Sequence, residues 1–84
     1  MNEDILEEAL GLTKGDRNKD YGDYNVESKR IAALWSIIFD KEITQNQVVL
    51  AMIALKMGRQ LHTNKRDNWV DIAGYARLGD MIND

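Results

Sequence analysis

Cysteine and proline are both absent from this chain of 84 residues, and histidine occurs once, at His62. Without cysteine no disulfide can form, and no thiolate is available as a nucleophile or a metal ligand. Zinc sites are built mainly from cysteine and histidine, so a single histidine argues against one. The two serines, Ser28 and Ser36, fall on one predicted helix and suggest no catalytic triad with His62. We therefore predict no catalytic residues, no metal and no cofactor.

Long apolar runs are missing as well. The longest, "VVLAMIAL", covers residues 48–55, whereas a helix needs about 20 apolar residues to span a bilayer. The first ten residues, "MNEDILEEAL", are acidic and lack the basic region of a signal peptide. We therefore expect a cytoplasmic protein with no membrane partner.

Negative charge is concentrated at the two ends of the chain, which has a net charge of −3. Residues 1–12 hold four acids and no base, and residues 67–84 hold four acids and one base. Residues 13–66, in contrast, hold ten bases and six acids. Proteins that bind duplex nucleic acid present a broad basic face. The pattern argues against a duplex partner and is compatible with a small, local anion site.

Helical periodicity predicts an all-α fold, a small bundle of about four helices in a single domain covering residues 1–84. We predict helices over residues 3–13, 26–39, 44–61 and 67–82. The predicted N-cap residues are Asn2, Asn25, Thr44 and Asp67. Thr44 and Gln47 also have the spacing of a capping box.

The third predicted helix is apolar on every side between Val48 and Leu55. A helix that is hydrophobic all round is buried all round. We therefore expect it to be the central helix, with a second copy of the chain completing its burial, and so a homo-oligomer. Gly58 and Gly74 lie inside helices, where each costs about 1 kcal/mol relative to alanine. A close backbone or a ligand beside them would explain their presence.

Lys56 and Arg59 follow the apolar run and share a helix face, because they are three residues apart. They can extend to solvent at the end of the helix and favour its dipole. Alternatively, the helix delivers two cations to the rim of a cavity, where they need counter-charges. Those charges could come from Asp67 and Asp71 or from the phosphates of a ligand.

Asp67 and Asp71 are four residues apart at the start of the fourth predicted helix. Asp67 can cap the helix while Asp71 pairs with Lys56 or Arg59. Alternatively, the two carboxylates can hold Mg²⁺, although two are few for that purpose. For Trp69 and Tyr75 nearby we favour places in the core over base-stacking positions.

The connector "TKGDRNKDYGDYN", residues 13–25, is long for a link between two helices of a small bundle. Asx turns around its two glycines would make it a solvated turn. Alternatively, its glycines can direct backbone N–H groups at an anion, with Arg17 and Lys19 supplying charge and Tyr21 anchoring the loop. The connector lacks a Walker motif.

In chain order, the motifs "DRxxxYG", "RIAxLW", "ALKxxR" and "DxWxDxAGYA" resemble a family of small, uncharacterised phage and prophage proteins. The resemblance runs from about Ile5 to Leu78 and implies no settled activity. A looser similarity is to the all-α MazG-like nucleotide pyrophosphohydrolases, which hold magnesium with a run of glutamates and an ExxD motif. This chain departs from that pattern, because its acidic residues 3–8 are N-terminal and no ExxD follows in the third or fourth helix.

We predict a phage protein that binds a phosphorylated nucleotide in a cationic and aromatic pocket, and that can sequester a nucleotide signal of host immunity. Its predicted ligand-binding residues are Asp16, Arg17, Lys19, Tyr21, Arg30, Lys56, Arg59, Asp67, Trp69 and Asp71. One alternative is a magnesium-dependent nucleotide hydrolase using Asp16, Asp67 and Asp71. Another is a helical module that contacts a host protein.

Overall fold

The computed structural model describes residues 4–13 and 23–82. These ranges contain four helices and no strand, which confirms the all-α class and the small bundle. The helices are α1 (Ile5–Leu12), α2 (Tyr24–Phe39), α3 (Gln45–His62) and α4 (Arg66–Met81). None of them is both long and apolar enough to cross a membrane.

Aspartates cap the first two helices, at positions other than those predicted. Asp4 Oδ1 accepts a hydrogen bond from Leu6 N at 2.7 Å, and Asp23 Oδ1 accepts one from Asn25 N at 2.9 Å. The prediction of Asn25 as a cap was wrong, since Asn25 is the second residue of α2. The other predicted cap, Asn2, lies outside the described residues. Asn and Asp cap helices about equally well, so composition alone does not choose between neighbours.

The capping box at the start of α3 is confirmed. Thr44 Oγ1 accepts from Gln47 N at 3.1 Å, and Gln47 Oε1 accepts from Thr44 N at 2.9 Å. The predicted cap Asp67 was wrong, because α4 begins one residue earlier at Arg66 and Asp67 lies in its first turn. Lys65 occupies the N-cap position of α4 and makes no capping hydrogen bond with its side chain.

The helices pack in the order α2, α3, α4, α1, because α3 packs against both α2 and α4, while α1 packs against α4. Tyr24, Val49 and Leu78 form a buried apolar cluster that joins α2, α3 and α4. Tyr75 packs against this cluster and makes a tilted ring contact with Tyr24, with centroids 6.5 Å apart. This confirms the core position predicted for Tyr75. α3 and α4 are the two inner helices of the packing order.

The burial of α3 is one-sided within a single chain. Val48 and Val49 are buried, whereas Leu50 is 55% exposed and Leu55 is also exposed. The all-round burial inferred from the apolar sequence therefore does not occur within one copy. The second copy that would complete it stays a prediction.

The two interior glycines noted in the sequence have different surroundings. A Cβ atom at Gly74, which is buried in α4, would lie 3.4 Å from Thr13 Cγ2. The neighbour is a side-chain methyl at ordinary contact distance, and the close backbone or ligand expected beside this glycine is not seen among the described residues. At Gly58 a Cβ atom would meet nothing within 4 Å. Gly58 therefore faces open space, and no packing contact requires it.

Candidate functional site

Lys56 and Asp71 form an ion pair between α3 and α4. Lys56 Nζ lies 2.8 Å from Asp71 Oδ2, and both side chains are partly exposed. The sequence left open whether Lys56 extends to solvent, pairs with a carboxylate or binds the phosphates of a ligand. The structure shows the pairing with a carboxylate. Because its charge is already balanced, Lys56 is a weak candidate for binding phosphate.

Arg59 lies three residues further along α3 and lines an open groove of about 620 Å³. The groove lies between the C-terminal half of α3 and the start of α4. His62 and Lys65 line it together with Arg59. We call it the α3–α4 groove. Three side chains that are cationic or can become so therefore face one cavity.

The α3–α4 groove is electrostatically one-sided. No carboxylate is among the described residues that line it, and the other polar residues there are Thr63 and Asn68. Within the described part of the chain, Arg59 and Lys65 take part in no ion pair. Their charges are therefore available to an anionic ligand.

The remaining lining of the groove is apolar. Ala54, Leu55 and, one turn further on, Gly58 form it on the exposed side of α3. Gly58 contributes no side chain, and the space above its Cα is open. A flat ring could lie against this strip while its charged substituents reach Arg59 and Lys65.

Gln60 fixes the turn that carries Lys65. Its Oε1 atom accepts hydrogen bonds from Lys65 N and from Asn68 Nδ2, each at 3.0 Å. Its Nε2 atom donates to Asn64. Asn68 is buried, so the turn is joined to the packed part of α4. The position of Lys65 beside the groove is thereby held by a hydrogen-bond network inside the turn.

The start of α4 also bears on the charge near the groove, and its first turn carries the exposed carboxylate of Asp67. No side chain caps this helix, so no carboxylate or hydroxyl at the N-cap occupies the N–H groups of its first turn. The N-terminal end of a helix carries a partial positive charge and attracts anions. Lys65 and Asn68, which line the groove, flank this helix end.

The structure brings few of the predicted ligand-binding residues together. Asp16, Arg17, Lys19 and Tyr21 lie outside the described residues, so their predicted role in ligand binding stays a prediction. Of the six that are described, only Arg59 lines the α3–α4 groove. Arg30 is exposed on α2, and Asp67 is exposed in the first turn of α4.

Trp69 differs from the position that the sequence favoured. It is about half exposed on α4 and is not part of the buried cluster. His62, Thr63, Lys65 and Asn68 were missed as lining residues. The signal available for them was the run "HTNKR", in which a histidine, a lysine and an arginine surround a predicted helix break.

The described residues contain no group of three or more histidine, aspartate or glutamate side chains placed to hold a metal ion. Asp71, one of the carboxylates considered for Mg²⁺, is bonded to Lys56 instead. Asp16, the third member of that predicted set, lies outside the described part of the chain.

Comparison with known proteins places the chain in a family. The model of a family described as a domain of unknown function, DUF6378, matches residues 4–83. The chain therefore belongs to this family. No solved structure matches it.

Two curated relatives come from mycobacteriophages. The "Gene 55 protein" of Mycobacterium phage D29 is 46% identical over 83 residues, which cover 98% of this chain and 55% of that protein. The "Gene 55 protein" of Mycobacterium phage L5 is 40% identical over 74 residues, covering 86% and 47% respectively. The chain thus spans about half the length of these relatives. The expected similarity to small phage proteins is confirmed.

Proposed function

We propose that this member of the DUF6378 family binds a small phosphorylated ligand, of the nucleotide class, in the α3–α4 groove. One observation carries the proposal: Arg59, His62 and Lys65 line a single cavity of about 620 Å³, and no carboxylate is among its described lining residues. The ligand class is the one predicted from the sequence. The residues proposed to bind it are now Arg59 and Lys65, and no longer Lys56 and Asp71.

The three basic side chains have complementary chemistry. The planar guanidinium of Arg59 can donate two parallel hydrogen bonds to a phosphate, whereas the Lys65 ammonium acts as a compact point charge. The imidazole ring of His62 can donate a further hydrogen bond. Together with the uncapped start of α4, they suit a ligand with two or more negative charges.

The apolar strip supports a ligand that is larger than phosphate alone. Ala54, Leu55 and Gly58 offer a surface on which a nucleobase or ribose can lie. Ligand sites in proteins generally combine an apolar lining with a few oriented polar groups. A nucleotide satisfies both parts, since its ring is flat and its phosphates are charged.

Isothermal titration would test the proposal, with cyclic dinucleotides, ADP-ribose and nucleoside triphosphates as probes and without magnesium. We expect at least one of them to bind, and R59A and K65A each to weaken it at least tenfold. K29A is the matched control, because Lys29 is an exposed cation on α2 that does not line the groove. No heat with any probe, or an equal loss in K29A, would refute the groove as the site.

The biological role that we propose is sequestration of a host nucleotide signal in the bacterial cytoplasm. Its distinguishing feature is binding without turnover. After incubation with magnesium and denaturation of the protein, chromatography should recover the ligand intact. Recovery of a hydrolysed product would instead support the magnesium-dependent hydrolase considered from the sequence.

A further inference from the structure

The C-terminal half of α2 exposes large apolar side chains to solvent. Ile37 is 76% exposed, Ile38 is 70% exposed, and Leu34 is also exposed. We call these three residues the α2 ridge. Contiguous apolar surface of this kind on a small protein marks an interaction site.

An apolar pocket of about 540 Å³ lies beside the α2 ridge. Trp35, Ile38 and Phe39 of α2 line it on one side, and Ile43, Gln47 and Ala51 line it on the other. None of the six carries a charge. The pocket is therefore suited to a branched aliphatic side chain from another molecule, and the same chain presents such side chains on the α2 ridge.

The apolar core of a single chain is small. Of the buried apolar residues in the described part, only Tyr24 and Leu78 are larger than valine. A short chain buries a smaller fraction of its surface than a long one, and this chain has no cysteine to add a disulfide. A partner that is always present would supply the missing burial, and another copy of the chain meets that condition.

We infer that a second copy of this chain packs on the α2 ridge and the adjoining pocket, through an antiparallel crossing of the two α2 helices about a two-fold axis. In a two-fold interface the same patch is used twice and must complement itself. Here the ridge of each copy fills the pocket of the other. The interface is separate from the α3–α4 groove, which shares no residue with the pocket.

Charges at the two ends of the ridge fit this arrangement. Arg30 lies just before the apolar stretch of α2, and Asp40 follows its end. Neither takes part in an ion pair within the described residues. An antiparallel crossing centred on Leu34 and Trp35 places Arg30 of one copy beside Asp40 of the other, at both ends of the interface. Such pairing favours the antiparallel register over the parallel one.

Sedimentation equilibrium of the full chain over a range of concentrations would test the inference. We expect a species of about 19 kDa, twice the monomer mass of 9.6 kDa. I38E should weaken the dimer at least tenfold, because it buries a carboxylate in an apolar interface. L61E is the matched control and should not change the assembly, since Leu61 is 89% exposed on α3 and lies outside both the ridge and the pocket.

A second pair of variants tests the register and does not disturb the apolar surface. R30E places two acids together at each end of the dimer and should weaken it several-fold, while D40N added to R30E should recover much of the loss. Asparagine is suited to this site, because Asp40 has a left-handed backbone with φ of 53°. A species of 9.6 kDa at every concentration would overturn the inference. The ridge would then be expected to bind a different protein. Equal dimerisation in wild type and I38E would overturn it as well.

Discussion

Lys56 and Asp71 join the central helix α3 to α4, with Nζ and Oδ2 separated by 2.8 Å. The two residues come from sequence motifs that equally allowed a ligand-binding role. Their contact makes them part of the packing between two helices, and it leaves the neighbouring Arg59 as the cation that faces the open groove.

Replacing Lys56 by methionine should therefore lower stability and spare ligand binding. Methionine keeps the apolar stem but leaves the Asp71 carboxylate without its counter-charge. Because both side chains are partly exposed, we expect a loss of about 1 kcal/mol in the free energy of unfolding, measured with urea. The double variant K56M/D71N should lose less than the sum of the single variants. Loss of nucleotide binding in K56M, with the fold intact, would show that Lys56 is part of the binding site.

Replacing Lys65 by aspartate should raise stability while weakening ligand binding. Lys65 has the extended backbone of an N-cap residue, with φ of −130° and ψ of 135°, but offers no capping group. Aspartate caps helices well and suits the helix dipole, so we expect a gain of about 0.5–1 kcal/mol in thermal or urea unfolding. The reversed charge should weaken a phosphorylated ligand by more than tenfold. K65A, as the control, should weaken the ligand without the gain in stability.

Replacing Gln45 by leucine should lower stability, because Gln45 makes a polar contact between α3 and α2. Gln45 is buried, and its Nε2 atom lies 2.9 Å from both Asn25 O and Ser28 Oγ. Leucine cannot donate to these two oxygen atoms. Losing both hydrogen bonds should lower the free energy of unfolding by about 2 kcal/mol. Urea unfolding of Q45L, S28A and the double variant should show losses that are less than additive. A loss below about 0.5 kcal/mol in Q45L would contradict the buried network.

Two glycine-to-alanine changes should differ in their effect on stability. At Gly58 the new methyl group meets open space, so the better helix propensity of alanine should raise the free energy of unfolding by about 0.5–1 kcal/mol. At Gly79 it would lie 3.1 Å from Cγ1 of Val49, a buried residue of the core cluster that has little room to move. We expect G79A to be neutral or destabilising by about 1 kcal/mol. A clear stabilisation by G79A would show that α3 and α4 pack less tightly there.

The candidate site could be predicted from the sequence only in part. Arg59 was identified because it follows an apolar helical run at a fixed spacing from Lys56. Lys65 and Asn68 were not, because their approach to Arg59 depends on how the chain turns between α3 and α4. Gln60 determines that turn through hydrogen bonds to Lys65 and Asn68. Nothing in the spacing of glutamine and lysine reveals such a bond.

The sequence by itself determined the helices, the all-α class and the capping box at Thr44, because periodicity and capping are properties of residues a few positions apart. It also supplied both ion partners, Lys56 and Asp71. Only the tertiary structure decided that these two residues meet, that Arg59 faces an open groove, and that only one side of α3 is buried. These outcomes depend on the distances between helices, which are set by the packing of Tyr24, Val49 and Leu78 from three separate parts of the chain.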